Sequence, residues 1–211
     1  MENYKYYLRE QYDFYKSTWL GIGLAVFVLG GVIRFVYEFV FYWVNSGCTM
    51  LYFRSGTFGP WVDSHCIAAL LIFIVLYRLR RQPWFVFLFS AIGGGLIQLG
   101  IGLVLYYLCG GIRAWNYNLE ILNYGSLGGF VCLRSVLEFG VLGLLVIYVV
   151  APLIFHMACS VYNSTFLAVW ITIGLICIAD IVYNDVLCAL TPGLTGAVQV
   201  YQDLGVHYIS Y

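Results

Sequence analysis

The chain has 211 residues, 63% of them hydrophobic and 9% charged, and its ten basic and ten acidic side chains balance to zero. Soluble domains run at roughly 45–50% apolar and about 25% charged, so this composition cannot cover a water-facing surface and demands a bilayer as solvent. Zero net charge also excludes a nucleic-acid-binding face, which needs concentrated Lys and Arg.

Residues 1–17 mix Lys5, Arg9 and Lys16 with Glu2, Glu10 and Asp13, and add Tyr4, Tyr6, Tyr7, Tyr12, Phe14 and Tyr15. Charges interleaved with aromatics predict a helix lying in the membrane interface. The apolar run that follows is about 25 residues, too long for the core of a cleaved signal, so it reads as a first span. Spans are predicted over Thr18–Val44, Asp63–Leu79, Trp84–Cys109, Val131–Phe155 and Ser164–Cys188, the second being the shortest. Turn formers separate them: Asn45-Ser46-Gly47, Gly59-Pro60, the Arg78–Pro83 stretch, Pro152 near the end of the fourth, and Thr191-Pro192-Gly193. The expected fold is all-α, a polytopic transmembrane helix bundle of about five spans with an N-terminal interfacial helix. The helical domain covers 18–190 and a C-terminal tail 191–211.

Loop charges set the orientation. With the N-terminus inside, Lys5, Arg9, Lys16, Arg78, Arg80 and Arg81 are cytoplasmic, while Arg54 and Arg113 are outside. This predicts a multi-pass plasma-membrane protein with a cytoplasmic N-terminus and, after five spans, an outer C-terminus. Trp19, Trp43, Trp61, Trp84 and Trp115 fall near span ends, where amphipathic rings are favoured.

An ionisable group inside an apolar span is costly, so each one is a candidate site. Arg34 and Glu38 lie in the first span, Arg134 and Glu138 in the fourth, Asp180 and Asp185 in the fifth. Both Arg–Glu pairs have the four-residue spacing of one helix face. Self-neutralisation that merely permits insertion is one reading; a polar cavity or substrate path between helices is the other. The strings Arg34–Phe39 and Arg134–Phe139 are similar, but one short match is better explained by coincidence than by an inverted repeat.

Gly93, Gly94, Gly95, Gly100 and Gly102 in the third span suit close helix packing. No Lys-Ser or Lys-Thr follows them, so they are no phosphate loop and the chain has none of its own. The seven cysteines form no Cys-x-x-Cys pair and the three histidines are scattered, so no metal or cofactor site is indicated. Small apolar filler is the simplest reading of most cysteines. Outer-side disulfides among Cys48, Cys66, Cys109, Cys132 and Cys188 are the other.

Two stretches resemble a bacterial multi-pass membrane family, the type IV ABC-transporter permeases. Arg54-Ser55-Gly56-Thr57-Phe58-Gly59-Pro60 keeps that family's Arg and Gly-Pro at the same spacing. Trp115-Asn116-Tyr117-Asn118 stands where the family has Trp-Asp-Tyr-Ser. Gly129, Val131-Cys132-Leu133-Arg134, Gly140 and the stretch from Tyr148 to Pro152 then follow in the family's order. The resemblance spans roughly residues 30 to 155 and is eroded. Ser55 replaces a Gly, Val62-Asp63-Ser64-His65-Cys66 replaces Cys-Pro-Ile-Tyr-Gly, and Gln98 is the nearest polar group where the third span usually has acids. Glu38 falls near an acidic position of the family's first span.

The resemblance implies a permease-like subunit that carries a small solute and takes its energy from a separate ATP-binding subunit. Lipid and further copies of the chain are its other expected partners. The Arg78–Gln82 loop is the one obvious cytoplasmic coupling surface, and positive-inside anchoring explains it as simply. Arg54, Trp115, Asn116, Tyr117 and Arg134 are expected near the outer side, with Arg54, Asn116, Tyr117 and Arg134 facing a common vestibule. Arg34, Glu38, Glu138 and Asp180 complete the substrate-path candidates. A non-transporting scaffold is the competing reading. An intramembrane enzyme acting on lipid through Asp63, His65, Asp180 or Asp185 is a third, weakened by the five-residue spacing of Asp180 and Asp185.

Overall fold

The computed structural model describes residues 16–45, 52–53, 56–108, 111, 115–120, 122–191 and 193–208. The predicted interfacial helix and Arg54, Cys48, Cys109 and Arg113 lie outside these residues. Helix α1 covers Lys16–Asn45, and a two-residue strand β1, Tyr52–Phe53, follows it. Helix α2 is Asp63–Leu76, extended by a 3-10 turn at Tyr77–Leu79. Helix α3 is Pro83–Leu108, opening on the proline whose missing N–H costs nothing in a first turn. Helix α4 runs Leu133–Ser160 and α5 runs Asn163–Leu187. A short helix α6, Ala197–Asp203, and strand β2, His207–Tyr208, end the described chain.

Four helices, α1, α3, α4 and α5, are long and apolar enough to cross a membrane, at 30, 26, 28 and 25 residues. Helix α2 with its 3-10 turn reaches about 27 Å, just short of a ~30 Å hydrocarbon core. It lies where the shortest span was expected.

Two compact units divide the chain, one of Met1–Leu70 with Val150–Ser210 and one of Leu71–Val149. In the first, α1 packs on α5. Thr18 Oγ1 donates to Asn163 Oδ1 at 2.6 Å, a Cβ on Gly21 would meet Phe166, and one on Gly174 would meet Leu24. These contacts advance together along both helices, so α1 and α5 run parallel. Consistently, β1 after α1 pairs in parallel with β2 beyond α5. Gly30 and Gly31 let α2 seat directly on α1, because a Cβ there would strike Ala69 and the Cys66 sulfur.

In the second unit α3 and α4 run antiparallel with bulk set into gaps from both sides. Phe139 and Phe130 fill the spaces over Gly94 and Gly102, while Phe87 and Ser90 fill those over Gly140 and Gly143. Without a hydrophobic drive between helices in lipid, such interlocking is what holds them. Gly94, Gly95 and Gly102 therefore serve the packing expected of them. Gly93 and Gly100 do not, since nothing lies within 4 Å of a Cβ at either.

Pro152 does not end the fourth span, contrary to its reading as a breaker. The helix continues to Ser160 through a π turn at Val146–Val150. The wider turn just before the proline takes up the register where an N–H is missing.

Candidate functional site

The first polar centre forms where α4 begins. Residues 115–132 fold into a compact loop held by Trp115 Nε1 donating to the Phe130 carbonyl at 2.7 Å, and by Tyr117 N–H donating to the Gly129 carbonyl at 2.9 Å. Gly128 and Gly129, with φ of 61° and 83°, turn the chain where a side chain would strain it. Asn116 Oδ1 accepts from the Asn118 N–H at 3.2 Å, which caps the 3-10 turn Tyr117–Leu119. This delivers Tyr117, 3% exposed, into the unit. Its hydroxyl accepts from Gln98 Nε2 of α3 at 2.7 Å, and the Arg134 guanidinium lies 5.7 Å over its ring.

Arg134 bridges two carboxylates. Its Nη2 pairs with Glu120 Oε2, and its Nε lies 3.4 Å from Glu138 Oε1. The three side chains are 11%, 3% and 14% exposed. Gln98 Oε1 is buried there and has no hydrogen-bond partner among the described residues. Buried ionisable groups beside a polar atom of this kind are costly in hydrocarbon, as expected of a place that meets polar solute or water.

The second feature is the Arg34–Glu38 ion pair, four residues apart on α1. Arg34 Nε and Nη2 reach Glu38 Oε1 at 2.9 and 2.6 Å, both side chains are nearly fully buried, and the guanidinium lies 5.2 Å over the Tyr37 ring.

The third centre lies at the far end of α5. Asp180 Oδ1 accepts from the Phe58 N–H at 3.0 Å and Asn184 Nδ2 at 2.8 Å. Its Oδ2 accepts from the Gly59 N–H at 2.7 Å and Trp61 Nε1 at 3.0 Å. Gly59 has to be glycine because the Trp61 ring lies where its Cβ would be. Asn184 Oδ1 accepts from the Ala197 N–H at 2.7 Å and thereby starts α6. Tyr201 on α6 donates to the Phe58 carbonyl at 2.6 Å. Burial and the Asp180 charge push the Tyr201 hydroxyl above its ordinary value of 10. One carboxylate thus clasps the Gly59-Pro60 loop and, through Asn184, the C-terminal segment.

The structure joins Tyr117, Arg134 and Glu138 in one cluster, with Trp115 and Asn116 organising the loop that presents Tyr117. Arg34 and Glu38 stand apart on α1, and Asp180 belongs to the clasp. Glu120 was recognisable only as a loop acid, and its place beside Arg134 depends on how the loop folds. The Asp180 partners Phe58, Gly59 and Trp61 lie 119–122 residues away in sequence. The Gly59-Pro60 turn was their only sequence signal. Asp63 opens α2, and His65 Nδ1 sits 3.1 Å from Ser64 Oγ. Among the described residues no group of three or more His, Cys, Asp or Glu is arranged to hold a metal ion. Cys66, Cys132, Cys159, Cys177 and Cys188 are free thiols.

Parallel and antiparallel apolar helices enclosing charged clusters define a polytopic helical membrane protein with polar centres inside its units. The chain matches the family described as "Putative ABC-transporter type IV" over residues 25–184, and it belongs to that family. That stretch contains both polar clusters and the Arg34–Glu38 pair, and membership gives the protein a transport-related role in a membrane. No curated protein and no solved structure matches the chain.

Proposed function

We propose that the protein is the membrane subunit of a transporter for a small solute, working with a separate ATP-binding subunit. The family match across 25–184 carries this reading. The buried ion cluster of Glu120, Arg134 and Glu138 under Tyr117 and Gln98 supports it, since ionisable groups inside an apolar bundle mark polar paths. We assign this cluster to the solute path. The chain has no phosphate loop, so ATP must be hydrolysed elsewhere. The family and the apolar helices favour the plasma membrane, and Lys and Arg in the short loops favour a cytoplasmic N-terminus, which puts Arg78, Arg80 and Arg81 on the side where an ATP-binding subunit docks.

A scaffold or accessory subunit is the second reading. The Asp180 clasp favours it, because all four of its hydrogen bonds are internal. Purification of the tagged chain from native membranes in mild detergent, followed by mass spectrometry, separates the two. A stoichiometric ATP-binding subunit supports the transporter. Recovery alone or with copies of itself contradicts it.

A further inference from the structure

Beside the Asp180 clasp a cleft of about 560 Å³ is lined by Phe58, Gly59, Trp61, Ile176, Asp180 and Tyr183. Its walls are aromatic. The Phe58 ring lies 6.1 Å from Tyr183 and 6.4 Å from Tyr201, centroid to centroid. Asp180 also lines it, and that carboxylate's four partners are all neutral donors, which solvate the charge without cancelling it. Asp63 and Asp185 lie close enough to Asp180 for the carboxylates to repel one another. Among the described residues none of these three carboxylates has an ion pair.

Aromatic faces and uncancelled negative charge attract the same class of ligand. A ring face carries negative electrostatic potential and holds a cation within about 6 Å of its centre. A small metal ion is a poor fit, since it needs carboxylate oxygens to coordinate it and those of Asp180 are committed to the clasp. A diffuse organic cation needs no coordination, only apolar walls and a field. Phe58 is 42% exposed and so open to a ligand.

We propose that this cleft binds a quaternary or alkylated ammonium group, seated on the Phe58 and Tyr183 rings and held by the field of Asp180 and Asp185. The site stands independently of the transport reading, because an accessory subunit would carry it equally well. The group belongs either to a free solute or to a lipid headgroup.

The test uses the full-length purified chain in a neutral detergent, with calorimetry of choline and of its uncharged isostere 3,3-dimethylbutan-1-ol. The proposal expects saturable choline binding and at least tenfold weaker binding of the isostere. Phe58→Leu keeps the apolar volume and should weaken choline about two- to fivefold, the range of one exposed cation–π contact. Asp185→Asn should weaken it about threefold or more, by removal of a nearby charge. Both variants keep every hydrogen-bonding atom of the clasp, since Phe58 contributes only its backbone to it, and unchanged thermal unfolding verifies that the fold survives. Equal affinity for choline and isostere overturns the proposal, as does choline binding that ignores both substitutions. Nanodiscs separate the sources. Choline binding lost in phosphatidylcholine but retained in phosphatidylglycerol assigns the site to a headgroup, and retention in both assigns it to a solute.

Discussion

Asp180→Asn tests the clasp with almost no change of shape. Each Asp180 oxygen accepts two hydrogen bonds, Oδ1 from Phe58 N–H and Asn184 Nδ2, Oδ2 from Gly59 N–H and Trp61 Nε1. An asparagine offers one oxygen, and its amide NH₂ must face two donors whichever way it turns. Two bonds to a charged acceptor are lost, each worth about 1.5–3 kcal/mol when buried. The site is only half-buried, so water recovers part of this and a net cost of about 2–4 kcal/mol remains. Most of that cost falls on the 56–61 loop, because α5 itself is held along α1. Hydrogen exchange reads it directly. The Phe58 and Gly59 amides should exchange roughly 30- to 1000-fold faster in the variant, at about 1.4 kcal/mol per factor of ten. Trp61→Phe removes one donor and should accelerate the same amides by about tenfold or less. Exchange at Phe58 and Gly59 within threefold of the parent in Asp180→Asn would refute the reasoning.

Glu120→Gln leaves Arg134 with only one of its two carboxylates and should cost about 2–4 kcal/mol, read as a lowered midpoint of thermal unfolding in detergent. A shift no larger than that of a surface Glu→Gln control would contradict the buried bridge. Leucine at Gly94 or Gly140 drives a side chain into Phe139 or Phe87 and should abolish folded protein, whereas leucine at Gly93 or Gly100, which meet nothing within 4 Å, should leave the monomer folded; monodispersity on size exclusion distinguishes the four. Tyr201 has its hydroxyl raised in the folded chain, so its contribution is fully present below pH 10 and is lost as pH rises through the folded value. Exchange of the Phe58 amide should therefore accelerate more steeply above pH 10 than base catalysis alone predicts, and Tyr201→Phe should remove that excess.

What was readable in the sequence was local or compositional. Runs of apolar residues announced α1, α3, α4 and α5, because a helix in lipid must be apolar all round. The Arg34–Glu38 contact was readable because helical geometry places residues four apart on one face. The same rule described Arg134 incompletely. Its stronger partner is Glu120, fourteen residues upstream, brought there by the turn at Gly128-Gly129 and the cap at Asn116. Asp180 stood out as a charge in an apolar run, but its four donors are loop amides and side chains that only the finished packing of α1 against α5 assembles. Pro152 was misread because proline removes a hydrogen bond without dictating how the helix responds, and here a π turn absorbs it. Glycine spacing on α3 showed a helix built for close approach but not which glycines face α4.

The account rests on a membrane subunit that works with a separate ATPase. The most direct measurement is ATP hydrolysis by material affinity-purified through this chain from its native membranes and returned to lipid. The account predicts vanadate-sensitive hydrolysis that co-elutes with the chain and changes in Tyr117→Ala material of equal yield. Hydrolysis no greater than in mock-purified membranes, from preparations in which the chain is abundant and folded, would contradict it.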